Sequence, residues 1–465
     1  MITRTLGAVA AMCGGELSPG SSTETRIEGV VTDSRKITPG CLFVPLSGDN
    51  FDGHDYAAAA LAEGAAATLW SAGKGPAPAG NAVVVDDTLA ALQALAASYL
   101  SEAAPRVVAV TGSNGKTTTK DMITALLETT FRVHKTQGNF NNHIGLPLTI
   151  LSMPEDTEIA VLEMGMSARG EISLLSSIGQ PDTAVITNIG ESHLLQLGSR
   201  KEIARAKLEI VEGLRRGGLL IYNGDEPLLA EVMKEPEFKA PEGMQTFRFG
   251  LEASDDDYPT GIMNHPGGTT FTSSRHDGQV FTLPLPGRHN VVNCLAAMAV
   301  AEHYGVTGEK MAEGLAGLKL TGMRIELIQT KAGLTLLNDA YNASPTSMKA
   351  AIDVLQSMKG AGSKIAVLGD MLELGPEEAG FHAEVGSYLD AAKVDRVFTY
   401  GPLSLHLADA ARASFGPDRV HAYTGKTELT EALLNTVGPK DIVLFKASRG
   451  MKLEETLQAL RARFD

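Results

Sequence analysis

The sequence predicts an α/β protein of three domains, each built as a sheet covered by helices. Three observations predict it. The 465 residues exceed what one hydrophobic core usually serves. Short β-type apolar runs alternate with Ala-rich stretches of helical length through most of the chain. One of those runs, Val107 to Val110, leads straight into Thr111-Gly112-Ser113-Asn114-Gly115-Lys116-Thr117-Thr118, a glycine turn that opens a helix-periodic stretch.

The first domain is expected over residues 1–85. Residues 30–35 and 41–46 read as strands, 56–65 as an Ala-rich helix, 71–81 as a Gly/Ala/Pro loop and 83–87 as a short strand. The second is expected over 86–318. It opens with a helix at 88–102 and has strands at 159–163, 183–188 and 218–223. Residues 244–285, richer in Thr, Phe, Gly and Asp, read as short antiparallel strands, and a long Ala-rich helix follows from His289 to about Tyr304. The third, 319–465, restarts the alternation with strands at 335–338, 365–368, 396–400 and 441–445 and a helix at 348–358. That pattern predicts a mostly parallel sheet.

Apolar residues make up 43% and charged residues 20%, the balance of a soluble globular chain. A net charge of −15 argues against nucleic acid as a partner, since such binding rests on Lys and Arg neutralising phosphates. Cys13, Cys41 and Cys294 are scattered, which gives neither a disulfide framework nor a metal spacing and suits a reducing compartment. The apolar run Leu6 to Met12 breaks at Gly14-Gly15 and reads as a first helix rather than a leader peptide. No stretch approaches the ~20 apolar residues of a membrane span. The expectation is a cytoplasmic protein, with no membrane partner and a monomeric state.

Strand, glycine turn, Lys-Thr and helix form a phosphate cradle. Backbone N–H groups and the helix N-terminus face the anion, Lys116 reaches the outer phosphates and the Thr117 hydroxyl holds a divalent cation. The spacing is shorter than the common G-x-x-x-x-G-K-[ST] form, whose first glycine would fall at Val110. An ordinary βα turn would explain the glycines but not the lysine followed by hydroxyls. Glu163 closes an apolar strand, where a carboxylate either holds Mg²⁺ or is simply solvated. His193, between Gly190 and Gly198, can reach the same cleft or serve as a hydrogen-bonded loop histidine. Lys207 lies on a probable helix, where a lone lysine is most often a surface charge. Asn290 and Asn293 share one helix face, and can cap the helix or read an adenine edge. Asp339, within Asn338-Asp-Ala-Tyr341-Asn-Ala-Ser-Pro345, follows a strand as a ribose-binding acid does, although a turn would account for half of those residues.

Taken in order, Thr111 to Thr119, Glu163-Met-Gly, Asn188-Ile-Gly with His193, Lys207, His289-Asn290-x-x-Asn293, Arg324 and Asp339-x-Tyr341-x-x-x-Pro345 resemble the Mur ligases, which extend the peptide of the bacterial cell-wall precursor. The resemblance covers essentially the whole chain. It implies a small UDP-binding α/β domain, a central P-loop-type ATPase domain and a C-terminal Rossmann-like domain. Four stretches look like the last-acting member, which joins D-alanyl-D-alanine to the UDP-N-acetylmuramoyl-tripeptide. They are Asp33-Ser34-Arg35 with Gly48 to His54, Thr136 to Thr149, Leu368 to Gly375, and Lys446-Ala-Ser448-Arg449-Gly. Ala447 stands where many relatives have Gly.

By resemblance, Gly112 to Thr118 and Lys116 hold ATP, Thr117 and Glu163 hold one Mg²⁺, and His193 holds a second. Lys207 corresponds to the lysine that relatives carbamylate. Asn290 and Asn293 would read adenine, with Arg324, Asp339 and Tyr341 on phosphate and ribose. Asp33, Ser34, Arg35, Asn141, Asn142, Ser448 and Arg449 would hold the other substrates. The resemblance implies an acyl-phosphate mechanism. A ligase adding a single amino acid, or a nucleotide switch without ligation, are the competing readings.

Overall fold

The apolar run before the glycine turn is the middle of a six-stranded parallel sheet. Its strands are β1 (Arg106–Thr111), β2 (Val133–Lys135), β3 (Ile159–Glu163), β4 (Thr183–Ile186), β5 (Leu219–Asn223) and β6 (Gln245–Phe249), in the order β2-β3-β1-β4-β5-β6. Successive side chains of a strand point to opposite faces. Val107 and Ala109 of β1 accordingly enter one core, and Val108 and Val110 a second core on the other face. Burial on both faces is why the strand reads as continuously apolar instead of alternating. This is a computed structural model, and it describes residues 1–48, 50–265, 268–322, 326–360 and 362–465.

The first core continues into the N-terminal unit, which has a five-stranded sheet of its own. The helix Thr88–Ala103 joins the two, burying Leu92, Leu95 and Tyr99, and the Tyr99 hydroxyl donates to the Met153 carbonyl at 2.7 Å. The second core lies under α1 (Lys116–Leu127) and α2 (Arg288–His303), and is extended by an antiparallel sheet of Pro259–His265, Gly268–Ser273 and Val280–Leu283. Among the places where expectation and structure differ are these three. The strand expected at residues 30–35 ends at Val31, because Asp33 caps a 3-10 turn, Ser34–Lys36. The region 244–285 gives its first strand, β6, to the parallel sheet. The short strand β2 has no apolar run of its own and forms by pairing with β3.

The C-terminal sheet has strands β7 (Glu326–Gln329), β8 (Thr335–Asn338), β9 (Lys364–Gly369), β10 (Arg396–Tyr400), β11 (Val420–Tyr423) and β12 (Ile442–Lys446), in the order β7-β8-β12-β9-β10-β11. Only β7 is antiparallel among the described strands. Each face has its own core. The C-terminal ends of the two large sheets meet. Ser344 Oγ donates to Asn114 Oδ1 at 3.3 Å, and Thr346 Oγ1 to Glu191 Oε2 at 2.8 Å. Among the described residues no helix is long and apolar enough to cross a membrane.

Candidate active site

In an open parallel sheet, ligands bind beyond the C-terminal ends of the strands, where the strand order reverses. Here the chain leaves β1 toward β2 and β3 on one side and later returns to β4 on the other. A cleft of about 610 Å³ lies at that point. The loop residues 113–115 after β1, Glu163 at the end of β3, His193 after β4 and the start of α2 line its central side. Asp339, Tyr341 and Lys446 line its C-terminal side.

The loop is shaped by the next strand. Asn188 accepts from Ser113 N and Asn114 N at 3.0 Å each, through its carbonyl and its side chain, and Thr187 Oγ1 donates to the Asn114 carbonyl at 2.5 Å. Gly115 caps α1 in the left-handed region with φ 80°, and a Cβ there would lie 2.8 Å from Asn293 Oδ1. Gly112 has φ 148°, and its Cβ would lie 1.9 Å from Thr187 Oγ1. No other residue fits these two positions. Lys116 sits on the first turn of α1 and donates to the Gly112 carbonyl at 2.7 Å, so its ammonium spans the mouth of the loop. Ser113 Oγ and Asn114 Nδ2 are buried with no hydrogen-bond partner, which native interiors rarely leave uncompensated.

Glu163 is 1% exposed. One carboxylate oxygen accepts from Asn141 Nδ2 at 2.8 Å; the other has no hydrogen-bond donor and lies 3.6 Å from the buried Lys120 ammonium. An orphaned hard oxygen in a cleft that Thr117 also lines fits a divalent cation. Among the described residues no group of three His, Cys, Asp or Glu forms a self-sufficient metal cage. The donor set therefore suits Mg²⁺ brought in with phosphates, since that ion commonly takes one or two protein oxygens.

His193 lines the same cleft, and burial followed by the nearby Lys207 and Lys116 ammonium groups pushes its imidazole below the usual range. Lys207 is not a surface charge. It is 1% exposed in the last turn of α3 (Arg200–Leu208), and burial, then the charge of Lys116, push its amine well below the ordinary lysine range. Asp339 pairs with Lys446, whose ammonium donates to Asp339 Oδ2 at 2.5 Å and to the Asn342 carbonyl at 3.0 Å.

The structure thus gathers Ser113 to Thr118, Glu163, His193, Asn290, Asn293, Asp339, Tyr341, Asn141 and Asn142 around one cleft, with Lys207 buried behind it. It gives three of the asparagines structural partners as well. Asn141 braces Glu163, Asn142 Oδ1 accepts from Gly145 N at 2.8 Å, and Asn290 Nδ2 donates to the Pro286 carbonyl at 2.8 Å. Besides Gly112 and Lys207, five expected residues do not line the cleft. Asp33 and Arg35 form a bidentate pair with each other, Ser34 lies between them, Ser448 Oγ accepts from Leu372 N at 2.9 Å, and Arg449 donates to Glu454 at 2.8 Å. Arg324 lies outside the described residues. The sequence reading missed Thr187 and Asn188 as shapers of the loop, and Lys120 and Lys446 as partners of the two carboxylates. Lys120 ends a short run of threonines and Lys446 ends the apolar strand β12, and lysine at such places looks like a surface charge until burial is known.

A parallel sheet with a short phosphate loop, facing a second α/β sheet across a nucleotide-sized cleft, defines a nucleotide-dependent ligase architecture. The chain matches the Mur ligase middle domain over residues 110–301, the Mur ligase glutamate ligase domain over 323–449 and the Mur ligase family catalytic domain over 26–100. It is 53% identical, with 99% of each chain covered, to the UDP-N-acetylmuramoyl-tripeptide–D-alanyl-D-alanine ligase of Bacillus subtilis, and 37% identical at the same coverage to that of Escherichia coli. Among solved structures, MurF from Acinetobacter baumannii superposes with a TM-score of 0.88 at 32% identity and 99% coverage of both chains. MurF ligase from Thermotoga maritima in complex with ADP gives 0.81 at 30% identity, covering 94% of this chain and 98% of that one. The chain belongs to the Mur ligase family.

Proposed function

We infer that this protein is an ATP-dependent, ADP-forming ligase that joins D-alanyl-D-alanine to the terminal carboxylate of UDP-N-acetylmuramoyl-tripeptide in peptidoglycan precursor synthesis. The observation that carries this reading is full-length identity of 53% to a ligase of that name, together with a single cleft where the phosphate loop, Glu163, His193 and the C-terminal Asp339 converge. The working units are residues 1–85 for the UDP-sugar, 86–318 for ATP and 319–465 for nucleotide and acceptor dipeptide. The protein works as a cytoplasmic monomer, with neither nucleic acid nor membrane as a partner.

The tripeptide carboxylate attacks the γ-phosphorus of ATP, the bond to the β-phosphate oxygen breaks, and ADP and an acyl phosphate form. The amine of D-alanyl-D-alanine then adds to the acyl carbon, loses its proton, and the tetrahedral intermediate expels phosphate. Catalysis of such transfers is mostly positioning and charge neutralisation. Lys116 and the N-terminus of α1 meet the phosphate oxygens, with Gly112 to Thr118 as the cradle. Asn290 and Asn293 meet the adenine, and Asp339 and Tyr341 the ribose, with Arg324 on phosphate. Asp33, Ser34, Arg35, Asn141, Asn142, Ser448 and Arg449 serve the UDP-peptide and the dipeptide. Mg²⁺, held at one site by Thr117 and Glu163 and at a second by His193, would neutralise the oxygens between which the phosphoryl group moves.

Lys207 is suited to carbamylation. Burial disfavours the charged form of this amine, the neutral form is a nucleophile toward CO₂, and the product is an anion that offsets the charge of Lys116. In ¹³C-bicarbonate, the protein should show a carbamate carbon resonance that Lys207→Ala lacks, and short carboxylates should restore part of that variant's activity. Substrate assignment is tested by phosphate release with UDP-tripeptide and ATP. Release should depend on D-alanyl-D-alanine, and stimulation by a single amino acid but not by the dipeptide would refute the assignment.

A further inference from the structure

We propose that Glu373, carried by the C-terminal domain, is a positioning residue for His193, fixing which imidazole nitrogen faces the cleft and making that site complete only when the two domains are apposed. The inference rests on the reading above, in which His193 serves the second cation.

The observation is a pair of contacts from one residue. Glu373 Oε2 lies 2.9 Å from His193 Nδ1, and the Glu373 carbonyl accepts from Leu195 N at 3.1 Å. A carboxylate can only accept, so Nδ1 carries the proton and Nε2 is left as the basic nitrogen. Histidines that bind metals are commonly oriented in this way, through a carboxylate or carbonyl on the nitrogen that does not ligate. Here the carboxylate comes from a different domain, so orientation of the ring reports domain apposition.

Backbone conformation points to the same pair. Among the described residues, the non-glycine positions with positive φ are Ala104, Gln180, His193, Glu373 and Lys452. Ala104, Gln180 and Lys452 each cap the C-terminal end of a helix or 3-10 turn, where the left-handed conformation is ordinary. His193, with φ 64°, and Glu373, with φ 65°, do not, and they are the two that touch. Such conformations are unfavourable for non-glycine residues and persist where the surroundings over-determine them.

The surroundings do so for Glu373. Asp370 is 2% exposed and accepts from Ser404 N and Ser404 Oγ at 2.7 Å each. Met371 N donates to His382 Nε2 at 3.0 Å, Leu372 N donates to Ser448 Oγ at 2.9 Å, and Met371 and Leu374 are buried. Every neighbour of Glu373 is thus tied into its own domain, while its side chain is 52% exposed and reaches out to the other. An ion pair that exposed adds little stability. Its effect lies in orientation, and this accounts for the Leu368 to Gly375 stretch that the nucleotide cradle leaves unexplained.

The test uses the full-length protein with Glu373→Ala, Glu373→Gln, Glu373→Gly and His193→Ala. Four readouts are taken: kcat and KM for phosphate release, Mn²⁺ affinity by electron paramagnetic resonance with ADP and the UDP-tripeptide bound, ¹⁵N shifts of the His193 ring, and thermal midpoint. Expected for Glu373→Ala are a kcat about 10–100-fold lower with unchanged KM for ATP, weaker binding of the second Mn²⁺, and a mixed-tautomer ring, at an unchanged midpoint. Glu373→Gln, whose amide oxygen still accepts, should retain the wild-type tautomer and most of the Mn²⁺ affinity. Glu373→Gly, which relaxes the backbone, should behave like Ala, so restored activity there would assign the effect to strain and overturn the proposal. If His193→Ala abolishes turnover while Glu373→Ala leaves tautomer and Mn²⁺ binding untouched, the proposal fails and the functional reading stands. If His193→Ala is fully active, the reading itself fails.

Discussion

The two walls of the cleft are built differently. On the central wall, Ser113 Oγ, Asn114 Nδ2, the Lys120 ammonium and one oxygen of Glu163 are buried without hydrogen-bond partners. On the C-terminal wall the polar groups satisfy one another: Lys446 pairs with Asp339, and Ser344 and Ser347 close a capping box at the helix Pro345–Ser357. A buried polar group left unmade costs about 1–3 kcal/mol, and under the proposed function phosphates and a cation would complete those groups of the central wall that line the cleft. The opposite wall satisfies most of its polar groups internally and reaches across through Ser344 Oγ to Asn114 and Thr346 Oγ1 to Glu191.

The largest test of this contrast is Lys116→Ala. Phosphate release should fall about 10³-fold, the scale of losing one preorganised contact to developing charge, with the circular dichroism spectrum unchanged. An equal loss of stability would place Lys116 in the fold instead. On the other wall the expectation is reversed. Lys446→Met leaves Asp339 without its buried cation, and Asp339→Asn leaves Lys446 without its anion; each should cost about 3 kcal/mol in urea unfolding. The double variant should recover much of that, whereas additive losses would show the pair is not the relevant interaction.

Gly115→Ala tests whether the loop geometry is required. Its φ of 80° and the 2.8 Å approach to Asn293 predict a loss of about 1–2 kcal/mol and a raised KM for ATP. A variant with wild-type KM would show the loop can relax. The smallest effect concerns His289, whose imidazole burial pushes down to about 4. Between the unfolded value of about 6.5 and that value, the unfolded chain holds the extra proton. Stability should therefore be constant above pH 6.5 and fall as pH drops toward 4. Solvent screening of a half-buried ring limits this to about 1 kcal/mol. His289→Asn should flatten the slope, and an unchanged slope would assign it to other groups.

Legibility in the sequence followed locality. Val107 to Val110, the turn and α1 form one local device, so the cradle could be read directly. Glu163 was visible because a carboxylate ending an apolar strand is itself a signal. Lys207 was readable only through resemblance, because its spacing on a helix is that of any surface lysine and its burial depends on what packs over α3. The strand β2 went unread because its residues Val133-His-Lys135 carry no period and the neighbouring β3 supplies the pairing. Asp33, Ser34 and Arg35 lie outside this cleft, where Asp33 and Arg35 pair with each other.

By itself the sequence determined the α/β class, the phosphate loop with its lysine, and the family. Those follow from residue order and short-range spacing, which the backbone turns into strand, turn and helix with little help from elsewhere. Tertiary structure alone decided which charges are buried, that Glu163 stands beside Lys120 and Asp339 beside Lys446, and that Glu373 meets His193 across the cleft. Those contacts join residues from 43 to 180 positions apart, so they are fixed by the packing of whole sheets and leave no local trace in the chain.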